Sequence, residues 1–200
     1  NLRNSYEVRP FNILEENSQS YGFRTSFDLD KKASPMRPFP MFSVGMEFFK
    51  QDYKWQTYET NTSGDLGSTL SNNVEDRIYY NFFTQYHKKL TDELALLAGA
   101  NLNNTTYEYE DRFANDSIDL SGDYTFDWIL SPQIGLNYQF DYKISLFATV
   151  SHGFSPPALS ETLTPDGNIN PNIQPEKGWN FELGSRGRLN SQFQYELTFY

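Results

Sequence analysis

The 200 residues contain no cysteine, which removes disulfides, thiolate metal sites and cysteine nucleophiles together. No block of basic residues occurs, and 16 Lys and Arg stand against 26 Asp and Glu, for a formal charge of −10. Nucleic acid is excluded as a partner, because phosphate binding needs a positive footprint. No apolar run approaches the roughly 18 residues that a spanning helix requires, the longest being Leu94 to Ala100. That rules out a helical membrane protein and leaves a β-barrel open, since its strands hide their hydrophobicity in alternation. The first residue is Asn1 and no signal peptide follows it, so the chain is expected to be processed or a fragment.

What is plentiful is aromatic. Phe, Tyr and Trp make up 17% of the chain although the mean hydropathy is −0.67. Rings without a matching share of aliphatic residues suit surfaces that are part wet and part greasy, such as membrane interfaces or sugar-binding faces.

Period-two alternation recurs along the chain and predicts about eight strands. Tyr21, Phe23, Thr25, Phe27 and Leu29 alternate with polar residues, and Phe42, Val44, Met46 and Phe48 repeat the pattern toward Tyr58. Ile78 to Leu90, Leu94 to Asn103, Gln133 to Phe140, Ile144 to Val150, Trp179 to Leu189 and Gln192 to Phe199 continue it. Asn1 to Ser20 shows no clear period and is expected to be loop with a possible irregular strand. Short connections fall at Thr91, Asp141 and Asn190, with Lys31 to Pro40 intermediate in length. Long polar connections are expected at Glu59 to Asn73, Glu108 to Asp123 and Gly153 to Lys177. Alternate connections of a meander share one end of the sheet, so one rim carries the turns and the other the loops. The predicted fold class is therefore all-β, an antiparallel up-and-down transmembrane β-barrel. A soluble, aromatic-rich carbohydrate-binding β-sandwich competes, but its strands would be shorter and its loops unsorted by length.

Enzymatic chemistry finds little support. Ser151 and His152 are neighbours on a strand and point to opposite faces, so they cannot act as an acid/base pair. Asp65, Asp111, Asp116, Asp119 and Asp123 lack calcium-loop spacing, and neither a metal nor a cofactor is expected. The loop aromatics Trp55, Tyr58, Tyr109 and Phe113 are candidates to stack on a ligand, with Tyr107 and Trp128 beside them. Placement near strand ends suits an interfacial girdle equally.

One ordered set of short motifs is more specific. It comprises Gly153-Phe154 with Pro157, then Glu161, Gly167, Asn170-Pro171, Pro175-Glu176 and Glu182-Leu183-Gly184. Together with Ser131-Pro132 upstream, it resembles the barrel portion of TonB-dependent outer-membrane receptors. That resemblance implies a bacterial outer-membrane barrel of about 22 strands, plugged by a separate domain. Residues 1–200 would be a partial barrel without its plug, and residues 151–178 a long extracellular loop. The implied function is uptake of an iron–siderophore complex or another bulky nutrient, driven by the TonB system acting through the plug, with the lipid bilayer as surroundings. A small, self-closed eight-stranded barrel serving as adhesin or structural protein is the alternative within the same class. Within the motif, Phe154, Glu161 and Asn170 are candidates for the ligand entrance. The prolines and Glu182 are explained as well by loop shaping and lumen hydrogen bonding.

Overall fold

A computed structural model describes residues 2–29, 42–113, 118–141, 143–157, 161, 164, 170, 172–190 and 192–200. The proline-rich 31–40 connection and the motif or loop residues Asp116, Gly167 and Pro171 lie outside the described residues. The described chain forms ten strands: β1 Leu2–Val8, β2 Asn12–Leu29, β3 Phe42–Thr60, β4 Leu66–Lys89, β5 Leu94–Asp111, β6 Gly122–Thr125, β7 Ile129–Gln139, β8 Ile144–Ser155, β9 Glu176–Arg188 and β10 Gln194–Phe199. All belong to one antiparallel sheet in sequence order, with the short β6 folded back on β5.

Several expectations need correction: the strands number ten rather than about eight, and the expected loops Glu108 to Asp123 and Gly153 to Lys177 are shorter, because Glu108 and Tyr109 of β5 pair with Asp123 and Gly122 of β6 and β8 and β9 stay paired as far as Ser155 and Glu176. The stretch Asn1 to Ser20, described from Leu2, is strand except for the turn at 9–11, because β1 pairs residue by residue with the first part of β2. Its polar alternation on both faces hid the strand. Glu59 to Asn73 is not a long loop either: β3 and β4 continue as a hairpin to Thr60 and Leu66. The reversal occupies 61–65, where Gly64 takes a φ of 83° that only glycine adopts without strain. Asn61 and Asp65 close the turn through Asn61 N–H to the Asp65 carbonyl at 3.0 Å.

The described residues form a single sheet layer, which removes the sandwich. β1 and β10 are its two unpaired edges, so the sheet does not close on itself and the self-closed eight-stranded barrel fails as well.

Register fixes which side chains share a face. On one face Leu29, Phe42, Tyr86, Ala98, Ile134, Val150 and Phe181 lie in one row across the sheet, and Leu96, Leu136, Ala148, Leu183 and Phe199 in another. Most of the large ones remain exposed, Phe181 and Leu183 each by 62%, and Phe42, Tyr86, Leu96, Ala98 and Val150 are half-buried, as suits an apolar surface meant for lipid. On β4 the apolar run from Ile78 to Tyr86 ends at Asp76 on one side and Lys88 on the other. Those charges are about 40 Å apart along the strand at roughly 3.3 Å per residue, and a tilt of about 40° reduces this to some 30 Å, a bilayer core. Rings mark the upper limit of the belt: Phe23, Phe48 and Tyr80 follow one another at 5.9 and 5.3 Å, and Phe82 meets Trp128 at 6.0 Å. Directly above them Lys50 bridges Asp52 and Asp76 at 3.1 and 2.9 Å.

The opposite face is polar. Arg24, Glu47, Asn81 and Asn103 form one of its rows, and Ser43, Gln85, Gly99, Gln133, Ser151 and Asn180 another. Twice on this face an arginine lies over a phenylalanine ring that covers a glycine: Arg24 over Phe83 above Gly45, and Arg186 over Phe147 above Gly184.

Candidate functional site: the inner wall above the lipid belt

Because β2 to β5 run past the belt, their inner faces continue upward as a wall. Three successive rows define it: Glu16, Trp55, Asn73 and Asp111; then Ser18, Tyr53, Glu75 and Tyr109; then Ser20, Gln51, Arg77, Tyr107 and Tyr124. This is where burial concentrates, with Asn73, Glu75, Asn103, Thr105, Tyr107, Tyr109 and Phe126 all enclosed. Tyrosine suits the position, since its ring packs while its hydroxyl finds an acceptor. Tyr109 donates to Asn73 Oδ1 at 2.7 Å, and the Tyr53 hydroxyl donates to Glu16. Phe126 meets Tyr107 and Tyr124 edge-on at 5.8 and 4.8 Å.

The same wall anchors the long β8–β9 connection. Tyr107 donates to the Pro157 carbonyl at 2.9 Å and Tyr124 to the Ile173 carbonyl at 3.2 Å, so both described stems of that loop are tied to β5 and β6.

Electrostatically the wall has one unusual group. Glu75 lies above the belt, and its burial pushes the carboxyl up to about 7, against a smaller lowering by Arg77. Burial also raises the Tyr109 phenol to about 12. The unfolded Glu75 ionises at 4.5, so between about 4.5 and 7 the folded state holds the extra proton and stability falls as pH rises. Above pH 7 the loss levels off at roughly 3 kcal/mol. Glu75→Gln is accordingly expected to stabilise the folded barrel by about that amount at pH 8 and to do little at pH 4. Denaturation of the full-length protein in detergent at the two pH values measures this, and a gain equal at both would discount Glu75.

The residues singled out by sequence fall in different places. Gly153 pairs with Gly178, Phe154 with Lys177 and Ser155 with Glu176, where β8 and β9 begin to part. A side-chain carbon at Gly153 or Gly178 would meet nothing within 4 Å, so no close contact demands glycine there. Pro157 and Pro175 are buried, Glu161 and Glu176 are exposed, and Asn170 accepts the Asn172 N–H at 3.0 Å in a turn. Glu182 accepts from Asn180 at 2.9 Å on the inner face. Gly184 is buried beneath Phe147. Of the aromatic candidates, Trp55 and Tyr109 are on the inner wall, with Tyr107 beside them, whereas Tyr58 lies on the outer face and donates to Gln56 at 2.9 Å. Phe113 follows β5, its N–H bound to Asp111 at 2.9 Å. Trp128 is the one that joins the outer girdle. Glu75, Arg77, Tyr53 and Phe126 were not singled out: the polar tip of β4 carries no apolar period, and only its pairing with β3 reveals the face. Among the described residues, no group of three His, Asp or Glu is placed to hold a metal ion.

An open antiparallel sheet with a lipid belt outside, a polar inner face and one extended rim defines a sector of a bacterial outer-membrane β-barrel. Residues 2–200 match the TonB dependent receptor-like β-barrel family, and the chain belongs to that family. No curated protein sequence matches it. Among solved structures the chain is similar to the ferric citrate transporter FecA in its unliganded form, with TM-score 0.73 and 16% identity over 93% of this chain and 28% of that one. The ferric yersiniabactin uptake receptor FyuA from Yersinia pestis gives 0.66 and 14% over 92% and 29%. The alcaligin outer-membrane receptor FauA from Bordetella pertussis gives 0.62 and 16% over 92% and 28%. At such identities the likeness shows the fold, and the chain spans under a third of each neighbour. The family and these neighbours are receptors and transporters, not enzymes.

Proposed function

We propose that residues 1–200 are a sector of the barrel wall of an outer-membrane receptor. It takes up an iron–siderophore complex or another bulky nutrient. The observation that carries this reading is the inner wall itself, which rises past the lipid belt and is lined by Tyr53, Trp55, Arg77, Tyr107 and Tyr109. A pore without cargo selection has no use for buried rings and an enclosed carboxyl at its mouth. The sheet's two open edges support the partial-barrel part of the reading, because unpaired N–H and C=O groups in lipid cost several kcal/mol each. Strands from the rest of the protein would cover them.

Under this reading the connection between β8 and β9, within the 151–178 region, is an extracellular loop held in shape by Pro157 and Pro175. Phe154, Glu161 and Asn170 edge the entrance, with Phe113 on the neighbouring loop. Force comes from the TonB system acting through a plug domain in another part of the protein. Deleting the full gene should abolish growth on at least one ferric complex under iron limitation, with recovery on complementation only in a strain that retains TonB. Undiminished uptake of every complex tried, scarce metals and oligosaccharides included, overturns the proposal.

A further inference from the structure

Both ends of the β8–β9 connection lean inward over the wall. Pro157 and Pro175 are buried, the Tyr107 and Tyr124 hydroxyls donate to the Pro157 and Ile173 carbonyls, and Glu161 is near enough to Tyr107 to act on it electrostatically. Since β7 stands between β8 and β5 in the sheet, the Pro157 stem reaches Tyr107 only by crossing the inner face.

The tie at Tyr107 has a support of its own. The Arg77 guanidinium rests over the Tyr107 ring at 5.4 Å, and its buried Nε has no acceptor. A cation on the face of a phenol ring is attracted to the ring and draws electron density from it, which makes the hydroxyl a stronger donor to Pro157. Next to Arg77 on the same face of β4 is Glu75, only 6% exposed. While its carboxyl is neutral, nothing draws Arg77 off the ring. An ionised carboxylate in an enclosed site needs a cation, and Arg77 is the one beside it.

Other ionisable groups on this face do not substitute for it. On one side of Glu75 they are Tyr53 on β3, Glu16 on β2 and Arg3 on β1; on the other they are Tyr107, Tyr109 and Asp111 on β5 and Tyr124 on β6. Of these only Arg3 is a cation, and it lies three strands away. Asp76 on the opposite face and Glu161 on the connection add negative charge.

We propose that Glu75 is a pH-operated catch on the β8–β9 connection. With its carboxyl neutral, Arg77 stays on Tyr107 and the Pro157 stem is fastened. With the carboxyl ionised, Arg77 turns to Glu75 and that stem comes loose. The tie from Tyr124 to Ile173 is one strand farther from Glu75 and holds, so the connection stays tethered at its β9 end. The catch belongs to the wall and does not depend on which cargo the receptor carries.

Limited digestion of the full-length receptor in detergent with a glutamyl endopeptidase tests it. A cut after Glu161 follows the population in which the stem is open. Rates are normalised at each pH to those of an unstructured glutamyl peptide, which removes the protease's own pH profile. Wild-type cutting after Glu161 should rise by about fivefold from pH 5.5 to pH 8.5, with a midpoint near 7. Glu75→Gln, which keeps side-chain volume, should be cut slowly at both pH values, and Tyr107→Phe rapidly at both. Heat-modifiable gel migration verifies that the variants fold, and the wild-type profile is a test that needs neither of them. A flat wild-type profile, or the same rise in Glu75→Gln, overturns the catch. Slow cutting of Tyr107→Phe at both pH values overturns it as well, since the hydroxyl would then not be what fastens the stem.

Discussion

Leu136→Arg is expected to destabilise the bilayer-inserted barrel by about 2–4 kcal/mol, while Asn137→Arg one residue along costs little. Leu136 lies in the row with Leu96, Ala148 and Leu183, on the face whose large apolar side chains stay exposed. A guanidinium there would be placed in hydrocarbon with no acceptor in reach. Asn137 points inward opposite Phe147, next to the Arg186 guanidinium that already lies over that ring, and its own Oδ1 has no partner. A second cation on the wet side can extend into the lumen, and the substitution removes an oxygen that had no partner. Urea unfolding from lipid vesicles measures both, and equal losses would reverse the facing of the sheet.

Gly184→Val should have the next largest effect, with losses at or above the 1–3 kcal/mol usual for overpacking. A Cβ at this position would lie 2.4 Å from Phe147 Cζ and 2.5 Å from the Leu197 carbonyl oxygen. The ring can swing aside, but the carbonyl belongs to the β9–β10 ladder and cannot. Phe147→Leu should therefore recover only part of the loss in a double-mutant cycle, and full recovery would show that the backbone contact is unimportant. Gly45 beneath Phe83 repeats the arrangement, with contacts of 2.3 Å to the ring and 2.4 Å to the Thr25 carbonyl. A phenylalanine laid over a glycine fills a gap in the inner face, and an arginine above the ring gives it a wet surface.

Strands were legible wherever the two faces differ in polarity. Tyr21 to Leu29, Ile78 to Leu90 and Trp179 to Leu189 meet lipid on one side and water on the other, so the period of two is written in their composition. It fades where both faces are wet, which is why β1, the start of β2 and the hairpin tip from Glu59 to Asn73 read as loop. Above the belt the pairing is carried by backbone hydrogen bonds and by contacts such as Gln51 to Ser18 at 3.0 Å, and these leave no hydrophobic signature. The motif from Gly153 to Gly184 identified the family correctly. The residues that build the inner wall lie elsewhere, on β3, β4 and β5.

By itself, then, the sequence determined an all-β membrane architecture, because alternating aromatic strands without a helical apolar run have few other uses. It determined the facing of each membrane-level strand and the family. The tertiary structure decided that the sheet is open at β1 and β10, since edge pairing depends on partners that composition does not record. It also decided that Trp55, Glu75, Arg77 and Tyr107 meet on one wall. Residues on three strands become neighbours only through register, and register is set by the pairing of whole strands, not by any local spacing.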